Sequence, residues 1–155
     1  MSIVRPVTGG RPRPVNTVVL LREAFAALND LALARLAASG HGAVRSAHGV
    51  VFQHLDDTGT TVSTLAERGR MTKQAMAELV AHLEQHGYVT REPDPRDRRA
   101  KLVVPTASGR EVVAIAQSTV PAIERSLAEL LGADRHERLR ADLETILGSA
   151  VTIGD

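Results

Sequence analysis

Residues 61–104 hold two helix-like stretches, a tight break and two β-like runs in close succession, an order that few folds admit. Thr61-Val62-Ser63-Thr64 leads into a short helix carrying Leu65 and Ala66, which stops near Gly69. Thr72 caps the next helix, where Met76, Leu79, Val80 and Leu83 recur at the spacing of one buried helical stripe, and Gly87 ends it. Tyr88 to Glu92 and Lys101 to Val104 read as strands, joined by the charged, turn-rich Pro93-Asp94-Pro95-Arg96-Asp97-Arg98-Arg99. The spacing predicts a β-hairpin whose tip is too long for a two-residue turn. A short helix, a tight turn, an amphipathic helix and a charged hairpin make a winged helix-turn-helix. The expected fold is mainly α, with further helices on both flanks and this one short β-hairpin as the wing.

On the N-terminal side a helix starts at Asn16 or Thr17 as cap and ends before Ser39-Gly40-His41-Gly42. Leu21, Phe25, Leu28, Ala32 and Leu36 form one stripe, and Leu20, Ala24, Ala27, Leu31 and Ala34 an adjacent one. That apolar arc is wider than one subunit needs, so a second subunit is expected to cover it. A second helix fits roughly 45–57. After Pro105, Thr106 caps a long helix with Val112, Ala116, Val120, Ile123, Leu127 and Leu130 on one stripe, and Pro121 should kink it. Gly132 ends that helix, and Asp134 with Glu137 predicts a capping box for a last helix carrying Leu139, Leu143, Ile146 and Leu147. Residues 1–15, with Arg5-Pro6 and Gly10-Arg11-Pro12-Arg13-Pro14, read as a flexible basic arm; residues 16–155 read as a single domain.

Composition removes several functions. The 155 residues include no cysteine, which excludes disulfides, cysteine nucleophiles and thiolate metal sites. Aromatics are 2% of the chain, which disfavours a base-stacking single-strand binder. No apolar run is long enough for a bilayer, and the opening lacks the apolar core of a secretory signal, so a cytoplasmic protein with no membrane partner is expected. No nucleophile elbow, phosphate loop, dinucleotide loop or zinc helix is present, so no enzyme, catalytic residue or cofactor is expected. The formal charge of +1 is unevenly spread: residues 1–22 carry four arginines and no acid, and residues 68–101 carry eight basic against five acidic side chains. Two local basic segments on a near-neutral chain fit an anionic partner touched at defined places.

Residues 61–109 resemble the multiple antibiotic resistance regulator (MarR) family. The resemblance is carried by Leu65-Ala66-Glu67, the helix opening Thr72-Lys73-Gln74-Ala75, Leu83-Glu84 with Gly87-Tyr88-Val89, the wing Asp94 to Arg99, and Thr106 with Gly109. With the flanking helices it extends over roughly 16–150. It implies a homodimer whose dimerisation helices are about 16–38 and 106–150, around a winged helix-turn-helix of about 45–105. It further implies binding to a pseudo-palindromic double-stranded DNA operator, repression or activation of transcription, and release by a small effector in a cleft beside the dimerisation helices.

The candidate DNA-binding residues are Ser63, Arg70, Thr72, Lys73, Gln74, Arg96, Arg98, Arg99 and Lys101. Lys73 suits guanine edges and Gln74 adenine. Arginines of the wing suit a narrow minor groove, with Arg98 the first choice, and Asp97 is expected to fix one of them by a bidentate pair. Arg22, His48 and Phe52 are the candidates for a ligand, whose available polar groups point to a small anionic or phenolic effector. His82 and His86 have a spacing that can hold zinc, yet no carboxylate pattern completes a site, so no metal is expected. A winged-helix protein-interaction module that does not bind DNA is the alternative; such modules usually lose the arginine wing that this chain keeps. A small enzyme is the remaining one.

Overall fold

The computed structural model describes residues 7–8, 11–12 and 15–149. Val7–Thr8 (β1) and Arg11–Pro12 (β2) pair antiparallel where the sequence predicts an arm without regular structure; the rest of that arm lies outside the described residues. Helix α1 spans Thr17–Ala38, and the Asn16 side chain accepts from the Val19 N–H at 3.0 Å, the cap expected. The expected second helix is shorter and split: a 3₁₀ turn Ser46–His48 runs into α2, Gly49–His54. His48 starts it, its Nδ1 accepting the Arg45 N–H at 2.9 Å.

A short strand β3 (Thr60–Thr61) precedes α3 (Val62–Arg68) and α4 (Lys73–Gln85), and β4 (Val89–Asp94) and β5 (Asp97–Pro105) follow. The sheet order is β3-β5-β4, all antiparallel, so the wing is a hairpin extended by a third strand that the sequence did not announce. Thr61 and Thr72 cap α3 and α4 through their hydroxyls. Leu65, Met76, Val80 and Leu83 are fully buried together with Val51, Val103 and Val112, which makes this lobe the core of the chain. Each such side chain stabilises by roughly 1.5–3 kcal/mol relative to exposure.

Gly69 and Gly109 are among the glycines required for space. A Cβ on Gly69 would lie 2.9 Å from Val50 Cγ2 and 3.1 Å from the Leu65 carbonyl oxygen. A Cβ on Gly109 would run into the Tyr88 carbonyl oxygen. Thr106 ties the same corner, donating to the Gly87 carbonyl at 2.6 Å and accepting from the Gly109 N–H at 3.2 Å.

Helix α5 (Ala107–Leu131) continues through Pro121, and α6 spans Ala133–Gly148. The predicted capping box is not formed: α6 starts on Gly132 at φ 85°, with no side-chain cap, and Asp134 sits inside the first turn. The chain turns at Gly132, whose positive φ suits glycine, so the helix begins two residues too early for Asp134 to cap it. The chain divides into two compact units, residues 1–113 and 114–155. Within the second, Glu124 of α5 accepts from Arg140 Nη1 at 2.8 Å and lies 3.3 Å from His136 Nε2, both from α6. Among the described residues no helix is long and apolar enough to cross a membrane.

Candidate nucleic-acid interface

The first turn of α4 is exposed and cationic. Thr72 accepts from the Ala75 N–H at 3.2 Å, which satisfies one of the orphan amides and leaves the positive end of the helix dipole outward. Lys73 and Gln74 follow, both exposed. Gln74 Nε2 makes only a long 3.5 Å contact to Glu78, so its amide is available to a base edge. Arg70, in the turn before, is also exposed and has a positive φ of 52°, the one non-glycine to do so among the described residues.

The wing differs from its expectation. Asp94 faces Asp97 across the ladder, so the turn is the two residues Pro95-Arg96, and the extra length is taken up on β5, where Pro93 already pairs with Lys101. Arg98, Arg99 and Ala100 are therefore a bulge on one strand and not a long tip. Among the described side chains, Asp97 forms no ion pair with an arginine. Its Oδ1 accepts the Arg99 backbone N–H at 2.9 Å, and Asp94 Oδ1 accepts that of Arg96 at 2.9 Å. These short local bonds close the turn. Arg96 Nε reaches Asp94 only at 3.5 Å and its side chain is 84% exposed, so it is free to meet an anion. The side chain of Arg98 lies outside what is described.

The sheet brings the wing against the helix-turn-helix. A groove of about 440 Å³ is lined by Ser63, Lys73, Arg91, Asp97, Arg99 and Lys101, among others. Four of the sequence candidates, Ser63, Lys73, Arg99 and Lys101, thus meet in one place. Arg70, Thr72, Gln74 and Arg96 do not line the groove; they are exposed near its helix and its turn. Arg91 was missed, because nothing in a β-like run singles out one arginine; aligning Pro93 with Lys101 would have placed it. Its Nε bonds Glu84 Oε2 of α4 at 3.0 Å, which fixes the strand to the recognition helix. Among the described residues, Lys73, Arg99 and Lys101 are in no ion pair. Four cations about a single carboxylate, at a scale of one or two phosphate groups, suit a nucleic-acid backbone.

Two further clusters border α4. His48, His82 and His86 form a stack, the rings of His48 and His82 4.5 Å apart and those of His82 and His86 4.2 Å apart. Burial, then the nearby His82, Arg45 and His86, push His48 down to about 4; burial, then His86 and Arg45, lower His82. The second is a cleft of about 590 Å³ between α1 and α2 that also touches the α3–α4 turn. Phe25, Asn29, Ser46, Gln53 and Met71 are among its lining, and Asn29 Nδ2 donates to Ser46 Oγ at 2.9 Å. Of the residues expected at a ligand, none lines it: Arg22 is exposed and pairs with Glu23, His48 is buried in the stack, and Phe52 is half-buried elsewhere.

HosA, a transcriptional regulator of Escherichia coli, is 32% identical over 82 residues, 53% of this chain and 61% of that one, so the chain spans about three fifths of this relative. Among solved structures, the DNA complex of MepR from Staphylococcus aureus matches with a TM-score of 0.67 at 22% identity, over 87% of this chain and 98% of that one. CouR of Rhodococcus jostii, bound to p-coumaroyl-CoA, matches with a TM-score of 0.63 at 23% identity, over 88% and 94%. HosA and MepR are both described as transcription regulators. The fold is a winged helix-turn-helix, with a cationic groove where α4 meets the wing. Its residues 45–100 match the sequence model of the MarR family.

Proposed function

We propose that the protein is a cytoplasmic, homodimeric regulator that binds a pseudo-palindromic double-stranded DNA operator and represses transcription until a small effector releases it. The observation that carries the DNA reading is the groove joining Lys73 of α4 to Arg99 and Lys101 of the wing. In this reading Lys73 and Gln74 meet base edges, while Ser63, Arg70, Thr72 and the wing cations Arg96, Arg98, Arg99 and Lys101 hold phosphate or enter the minor groove. Arg91 joins that set. Selection of bound sequences from random duplex DNA tests it: an enriched pseudo-palindrome with salt-dependent affinity supports the reading, and no retained duplex at low salt sinks it.

Support for the homodimer is the unpartnered apolar surface. Val18, Phe25 and Leu31 of α1 are 75%, 63% and 54% exposed, and Leu130 and Leu147 of the terminal helices 79% and 84%. Surface of that kind marks an interface. Support for an effector is the cleft at α1 and α2, whose lining holds amides, a hydroxyl and apolar groups but no charged side chain. A neutral phenolic compound fits such a lining better than a carboxylate, which would lack a counter-charge there. CouR, whose structure holds p-coumaroyl-CoA, is a phenolic precedent in a similar fold.

A further inference from the structure

We propose that the Gly69-Arg70-Met71 turn is the element through which an occupied cleft disables the recognition helix, within one subunit and without a change in dimer spacing. The inference rests on the reading of the protein as a DNA-binding regulator. Gly69 and Met71 both line the cleft, beside Phe25 and Asn29 of α1 and Val50 and Gln53 of α2. Thr72, the cap that sets the first turn of α4, directly follows Met71, and Lys73 comes next. From the wall of the cleft to a side chain that would meet a base is therefore two residues.

The turn has no slack on its α2 side. Gly69 sits so close to Val50 that even a Cβ would collide, so anything that shifts Val50 or Met71 shifts the turn. Between the two lining residues, Arg70 is held at φ 52°, a region that costs any residue with a side chain about 1–2 kcal/mol. Packing that holds a strained residue can hold it in one position and release it in another, which gives the turn two states. The Arg70 N–H meets the Glu67 carbonyl at 3.2 Å, and the Met71 N–H meets Ala66 at 3.0 Å. Relaxing Arg70 breaks or re-aims these bonds and with them the direction of Thr72, Lys73 and Gln74. A ligand that binds better to the relaxed turn shifts the population by that difference in affinity.

The test needs no identified effector, because a side chain can fill the cleft. Gly49 lines it, has helical backbone angles, and a Cβ built there meets nothing within 4 Å, so Gly49→Leu is the variant chosen to occupy the space. Ala47→Phe, from the same lining, is the second variant should the first fail to fold. Each is compared with the unsubstituted protein on a full operator and on duplex carrying a single half-site. The expected result is a loss of about tenfold on the half-site, on the scale of ordinary coupling between sites. The melting temperature and dimer sedimentation stay as they were, and amide exchange quickens at residues 71–73. Loss on the full operator alone would assign the effect to dimer spacing, and unchanged binding to both duplexes would remove any link from cleft to helix; either overturns the proposal. An unsubstituted protein that retains no duplex defeats the DNA reading itself, whereas one that binds normally beside unaffected variants defeats only the turn.

Discussion

The imidazole of His48 lies face to face with that of His82, the ring centroids 4.5 Å apart and the planes 20° from parallel. This contact joins the start of α2 to the recognition helix, and it is made by neutral rings. His48 falls to about 4 in the folded chain, from an ordinary 6.5, with Arg45, His82 and His86 as the facing groups. Between those values the unfolded chain binds more protons, so stability rises with pH there. The contribution is complete above about 6.5 and is lost as pH falls towards 4, in the same direction as for His82. Melting temperatures measured from pH 7.5 down to about pH 4.5 should therefore fall, and His48→Asn, which keeps an acceptor for the Arg45 N–H, should flatten that limb.

Arg70→Gly should separate stability from binding. Removing the side chain removes the left-handed penalty of about 1 kcal/mol and should raise the melting temperature by roughly 2–4 °C. The same change deletes an exposed cation beside α4 and should weaken duplex binding and lower the salt slope by about one. Calorimetry and a salt titration on one preparation read both; a lower melting temperature would refute the strain argument.

Gly109→Ala should be among the costlier small substitutions. The added methyl meets the Tyr88 carbonyl oxygen at the corner where β4 begins and α5 starts. Overpacking against backbone costs roughly 1–3 kcal/mol. Gly42→Ala, where a Cβ meets nothing within 4 Å, is the control in the same urea titration.

Helix and wing should fail in different ways on DNA. Lys73→Ala and Gln74→Ala should each narrow the preference for operator over random duplex by about 1–3 kcal/mol per lost base contact. Arg98→Ala and Arg99→Ala should weaken all duplexes alike and reduce the salt dependence. Competition binding with operator and random DNA at two salt concentrations distinguishes the two patterns, and the reverse pattern would exchange the assignments.

Phe25→Asp should break the proposed dimer. It places a charge on an apolar ridge whose Phe25 is 63% exposed in the single chain. Sedimentation should show a monomer at micromolar concentration for the variant and a dimer for the unsubstituted chain; a monomeric unsubstituted chain would sink the homodimer.

Caps and stripes were legible in the sequence because they are local. Asn16 and Thr72 can be read from residue type and the apolar run that follows, and each cap is formed as read. The Met76, Val80, Leu83 stripe needed only helical spacing. What was not legible depends on register or on distant pairs. The charged insert reads as a long turn because all of it has loop composition, whereas a bulge hides three of its residues within a strand. Arg91 became part of the groove only once the ladder aligned it. His48 meets His82 across 34 positions of chain, and no pattern on either helix announces the other. Asp134 and Glu137 have the right spacing for a capping box, but the cap falls on Gly132, two residues ahead of Asp134, and leaves both inside the helix.

Glu124 faces two N–H-bearing side chains of α6, His136 and Arg140, which are four residues apart. Four residues is close to one helical turn, about 5.4 Å of axial travel. Sliding α6 by that amount would carry one of them away from the carboxylate and bring the other to it. The latch therefore sets how far apart the two helix axes lie while fixing their lengthwise alignment only weakly. That alignment has to come from shape, from half-buried side chains such as Leu127 and Leu143, so the hairpin has a built-in one-notch ratchet whose stops are steric.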